Sequence, residues 1–169
     1  MTIEAGTTVN FDSEAYLNVN GTLLAQGTAI ENIIFTGFKG ASSWAIYFNT
    51  SSTNSVLENA LIDGGGQLSF GTRTHVFVIG SSIEFLNSTS TNSVEAGIYL
   101  NNSTSTISNS HFASQLFGMK IYGSDNFPQL GEGITFGNNS SRDIYIDDIN
   151  WCGALPEYLA TSTNNNCNP

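Results

Sequence analysis

Leu57-Glu58-Asn59-Ala60-Leu61-Ile62 returns as Val78-Ile79-Gly80-Ser81-Ser82-Ile83 and again as Ile107-Ser108-Asn109-Ser110-His111-Phe112. Each copy has an apolar residue, Asn or Gly two places later, and an apolar residue at the sixth place. A looser copy begins at Leu130, so the starts are 21, 29 and 23 residues apart. Every unit reads as a short strand with period-two alternation followed by a turn, and no segment keeps a helical period. Three short strands in a repeat of about 22 residues make one coil of a β-solenoid. Strands one coil apart then stack in parallel, and their inward side chains line up as apolar columns.

A second motif runs out of phase with the first: Ala45-Ile46-Tyr47-Phe48, Gly97-Ile98-Tyr99-Leu100, Gly118-Met119-Lys120-Ile121 and Asp143-Ile144-Tyr145-Ile146. Leu68-Ser69-Phe70 fills the gap after its first copy. The expected inward columns are Leu17, Ile46, Leu68, Ile98, Met119 and Ile144; Ile3, Leu23, Leu57, Val78, Ile107 and Leu130; and Val9, Ile34, Ile62, Ile83, Phe112 and Ile134. They give six or seven rungs. Residues that follow the first column point outward, because the strand period is two. Those are Tyr47, Ser69, Tyr99, Lys120 and Tyr145, with a tyrosine on every second rung. Two polar stretches, Asn49–Ser55 and Asn87–Ser93, read as solvated turns.

The stretches TIEAGTTVNF (2–11), AYLNVNGTLLAQGT (15–28), NIIFTG (32–37), WAIYF (44–48) and SVLENALIDGGG (55–66) resemble the right-handed parallel β-helix domains of bacterial extracellular and surface proteins. These share the pectate-lyase fold. The resemblance covers roughly residues 2–147 and implies an all-β, right-handed parallel β-helix from an exported protein. It does not imply an activity, since the same coil serves enzymes, adhesins and spacers. Residues 148–169 fall outside it and read as a C-terminal cap over the open last rung.

Composition narrows the function classes. Four Lys and Arg face 14 Asp and Glu, a net charge of −10, which opposes nucleic acid and anionic membrane surfaces. No apolar run approaches the roughly 20 residues of a membrane span. Ser and Thr number 38 and Asn 20, a turn-rich polar background for the apolar columns. The two cysteines, Cys152 and Cys167, fit no zinc motif. An even pair in an acidic, lysine-poor chain points to a terminal disulfide and an extracellular or cell-surface location.

Catalytic motifs are thin. Asp147-Asp148 resembles the paired aspartates of solenoid polygalacturonases, but the other motifs of that family are missing. A β-helix lyase needs an Arg or Lys base, and only Lys39, Arg73, Lys120 and Arg142 are available. If Ile62 stacks beside Ile83, then Asp63 stacks beside Glu84, and two carboxylates so close are compensated by Ca²⁺ or by solvent. No other cofactor is implied. The sequence therefore favours a non-catalytic β-helix module, a structural stalk or an adhesive, carbohydrate-binding domain. A polysaccharide lyase or hydrolase of the β-helix type and an ice-binding protein are the alternatives. Expected partners are a polysaccharide or surface glycan on the tyrosine face, and a further copy or a longer parent chain stacked end to end.

Overall fold

The computed structural model describes residues 1–68, 73–123 and 125–167. Among these residues, eighteen short strands form three parallel sheets of six strands each, wound as a β-solenoid of about six turns. The first sheet holds β1 (Thr2–Ile3), β4 (Leu24–Gln26), β7 (Ser55–Glu58), β10 (Ile83–Leu86), β13 (Thr106–Ser108) and β16 (Gln129–Leu130). The second holds β2 (Thr8–Phe11), β5 (Ile33–Gly37), β8 (Ala60–Asp63), β11 (Thr89–Thr91), β14 (His111–Ala113) and β17 (Thr135–Gly137). The third holds β3 (Ala15–Val19), β6 (Trp44–Phe48), β9 (Thr74–Ile79), β12 (Ala96–Asn101), β15 (Phe117–Tyr122) and β18 (Arg142–Ile146).

The core is a set of columns, one residue per turn. On the first sheet it reads Ile3, Ala25, Leu57, Phe85, Ile107 and Leu130. On the second it reads Val9, Phe35, Ile62, Ser90, Phe112 and Phe136. The third carries two, Leu17-Ile46-Val76-Ile98-Met119-Ile144 and Val19-Phe48-Val78-Leu100-Ile121-Ile146.

Six expected positions are thereby corrected. Val76 replaces Leu68, because the strand that closes the third turn is β9; Leu68 is buried and belongs to no strand, and Ser69 and Phe70 lie outside the described residues. Ala25 and Phe85 replace Leu23 and Val78. Leu23 is a buried corner residue whose N–H donates to Ser55 Oγ, and Val78 belongs to the third sheet. Phe35, Ser90 and Phe136 replace Ile34, Ile83 and Ile134. Asn87–Ser93 is no solvated turn: its centre is β11, and Ser90 points into the core.

Corners are made by residues with left-handed backbone. Between the first and second sheets stand Asn59, Asn87 and Asn109, with φ of 47°, 50° and 48°. Asparagine tolerates this region better than other side-chain-bearing residues. Each hands its N–H to the carbonyl of the next turn, to Leu86, Ser108 and Glu132. Buried serines complete these corners: Ser88 Oγ accepts the Ala60 N–H at 3.0 Å, and Ser110 Oγ accepts the Ser88 N–H at 3.2 Å.

The C-terminal end is covered by a 3₁₀ turn (Ile149–Ala154) and α1 (Glu157–Ser162). Leu155 and Leu159 are buried against the last turn. The Trp151 ring stacks on Phe127 at 5.0 Å, and its Nε1–H donates to Gly123 O. Asn166 blocks the edge of β18: its Oδ1 accepts the Ile146 N–H and its Nδ2 donates to Ile146 O. The Cys152–Cys167 disulfide is formed, with Cα atoms 5.4 Å apart. At the N-terminal end, Ile3, Val9, Phe11 and Leu17 line a concavity of about 450 Å³.

Candidate functional site: the outer face of the third sheet

The outward file of the third sheet is Asn18, Tyr47, Phe77, Tyr99, Lys120 and Tyr145. Tyr47, Tyr99, Lys120 and Tyr145 share this file, as the strand period requires. Ser69 lies outside the described residues, and the place expected for it is taken by Phe77. The tyrosines are thus not separated by small polar spacers. Phe77 touches both Tyr47 (centroids 5.2 Å apart) and Tyr99 (4.5 Å, 11° between planes).

Two further tyrosines extend the file. Tyr16 meets Tyr47 edge-on at 5.7 Å. Tyr122, two residues beyond Lys120, lies between Tyr99 (4.9 Å) and Tyr145 (5.6 Å). A continuous contact path of six rings therefore runs along the coil. Phe77 was legible in the alternation of Val76-Phe77-Val78; Tyr122 was hidden because its register partner in β12 is Asn101.

Lys120 sits among these rings. Its Nζ is 5.1 Å from the Phe117 centroid, 5.3 Å from Tyr122, 5.9 Å from Tyr145 and 6.0 Å from Tyr99. It donates to Glu95 Oε1 at 2.6 Å. Burial of the ammonium lowers its pKa, but the Glu95 hydrogen bond and charge, together with Tyr122, outweigh that and hold it above the ordinary lysine value. Arg73 Nε lies 3.9 Å from the other Glu95 oxygen and is the more exposed cation. Lys120 is thereby paired within the protein and largely covered. Burial likewise pushes the phenols of Tyr99 and Tyr122 up.

The calcium candidates do not meet. Asp63 is in β8 of the second sheet, paired with Thr36 and Thr91; Glu84 is in β10 of the first, paired with Val56 and Thr106. The expected contact rested on stacking Ile62 beside Ile83, and those residues belong to different sheets. The Asp63 carboxylate instead accepts the Asn92 amide at 2.7 Å. Among the described residues no three His, Cys, Asp or Glu side chains cluster as a metal site would need. Asp148 Oδ1 caps the 3₁₀ turn by accepting the Asn150 N–H at 3.0 Å. Arg73 and His75 are sequence neighbours that part company, the first facing solvent and the second fully buried. On the outer face of the second sheet, β11 presents Thr89 and Thr91, while the neighbouring turns present Leu61 with Asp63 and His111 with Ala113.

No family model matches this chain, and no curated protein or solved structure matches it either.

Proposed function

We propose that the chain is a non-catalytic, extracellular β-helix module, a stiff stalk that lies along neutral carbohydrate through its aromatic file. One observation carries the reading: six half-buried or exposed aromatic rings in continuous contact along one face, with Lys120 among them paired to Glu95. Tyrosine offers an apolar body and a polar tip, which suits a half-wet ligand such as a sugar chain. Phe77 and Tyr99 cover each other's faces, so a glycan meets ring edges and phenol oxygens. Each contact is weak, and affinity rises with the number of turns engaged. The compensated Lys120 and a net charge of −10 select against polyuronates. The resemblance of the sequence to exported pectate-lyase-like β-helices is compatible with the fold and the disulfide.

The test is titration of the protein with neutral oligosaccharides (β-glucan, chitin and xylan series) beside polygalacturonate and alginate. The neutral chains are expected to bind, more tightly as they lengthen, and the combined variant Tyr47→Ala, Tyr99→Ala, Tyr145→Ala is expected to lose that binding while keeping its β-sheet spectrum. No binding by the parent, or binding unchanged in the variant, ends the glycan reading. Release of unsaturated or reducing sugar products would instead make the chain an enzyme.

A further inference from the structure

A row of polar side chains lies inside the corner between the second and third sheets, away from the aromatic face. His75 is wholly buried and stacks on Trp44 at 5.4 Å. Its Nε2 accepts the Gly65 N–H at 2.7 Å. A backbone N–H can only donate, so Nε2 is unprotonated and a neutral ring carries its hydrogen on Nδ1. Nδ1–H therefore donates to Ser90 Oγ, 2.9 Å away. The hydroxyl of Ser90 still has its own proton to place, inside a core where Ser90 is fully buried.

Gln115 stands beside it, also buried, and neither its Nε2 nor its Oε1 has a hydrogen-bond partner. Gly97 lies between the two. A Cβ built on Gly97 would stand 2.4 Å from Gln115 Nε2, 2.8 Å from Ser90 Oγ and 2.9 Å from the Phe112 ring. Ser90 Oγ and Gln115 Nε2 are therefore at most 5.2 Å apart, the sum of the first two distances. No direct bond joins them, yet a molecule hydrogen-bonded to both at about 2.8 Å each spans up to about 5.6 Å. An amide buried without partners is costly, and folded proteins relieve such groups with ordered water.

We infer that an internal water bridges Ser90 and Gln115, accepting the Ser90 hydroxyl proton and hydrogen-bonding the Gln115 amide. The water completes a chain from the Gly65 N–H through His75 and Ser90 to Gln115, tying the third, fourth and fifth turns together through the core.

A crystal structure of the whole chain that resolves ordered solvent tests this. The expected result is a water within hydrogen-bond distance of Ser90 Oγ and the Gln115 amide, absent from a Gln115→Met variant of nearly the same shape. Gly97→Ala is expected to expel the same water. A Gln115 amide bonded directly to Ser90 or another protein group, with no solvent between, overturns the assignment. So does a water that stays in place in Gln115→Met.

Discussion

The Lys120 ammonium and the Glu95 carboxylate, from neighbouring turns, meet at 2.6 Å beneath a canopy of four aromatic rings. The side chains are 14% and 25% exposed, so solvent screens this pair only in part. It stands where the aromatic file would otherwise be interrupted by an unpaired charge.

Replacing Lys120 by Met keeps the apolar stem and removes the charge. The variant is expected to lose about 1 kcal/mol in urea denaturation, from the ion pair and the cation–ring contacts. The same face predicts alkaline sensitivity. Lys120, Tyr99 and Tyr122 all hold their protons more tightly folded than unfolded. Their contribution is complete below the unfolded values of 10.0 and 10.5 and is lost as the pH rises through the folded ones. Stability should fall above pH 10, and fall less steeply in Tyr122→Phe.

His75 gives the opposite edge. Burial lowers its pKa from 6.5 to about 3, so the unfolded chain binds a proton that the folded one refuses. The contribution is complete above pH 6.5 and is lost as the pH falls toward 3, by about 1.4 kcal/mol per pH unit. Just below pH 6.5, before most carboxylates titrate, that slope should be present in the parent and missing from His75→Gln. An NMR titration should find the ring neutral there, with its hydrogen on Nδ1.

The register can be tested from both sides of the sheet. Ile98→Asp places a carboxylate in a fully buried column and is expected to unfold the coil, since nothing there compensates the charge. Thr91 points outward and pairs with Asp63. Thr91→Asp is expected to cost a few tenths of a kcal/mol through like-charge repulsion, and Thr91→Lys to be neutral or slightly stabilising. Equal costs for Ile98→Asp and Thr91→Asp would refute the register.

The disulfide closes a separation of 15 residues, worth about 3 kcal/mol in chain-entropy terms. Its reduction should act locally, because stability in a solenoid is a sum over neighbouring turns. Hydrogen exchange after reduction should rise over residues 149–167 and stay unchanged in β9 and β12.

Much of this was legible in the chain. Alternating triplets such as Ile98-Tyr99-Leu100 give strand, face and exposure at once, and Leu57, Ile107 and Leu130 stand in the column expected of them. The slip occurred between them. Leu57 and Ile107 are two turns apart whichever residue stands at the middle turn. Val78-Ile79-Gly80 matches the motif, yet Phe85 is the true partner. That one-strand phase error also drew Asp63 and Glu84 together. The outward file kept Tyr47, Tyr99, Lys120 and Tyr145 because they come from a motif read in the correct phase, while Ser69 lies outside the described residues.

By itself the sequence determined that this chain is a parallel coil of short strands with an apolar interior, a tyrosine-bearing face and a disulfide-closed cap. Local alternation and left-handed asparagine corners depend only on residues close in the chain. The tertiary structure alone decided which strand stands on which. Successive members of the first column are 22, 32, 28, 22 and 23 residues apart, so no fixed period can be read off. Loops absorb the difference, and the register is chosen where inward side chains fill one another's space. For the same reason Ser90 lies in an apolar column: the His75 ring, brought in from the preceding turn, gives its hydroxyl a partner there.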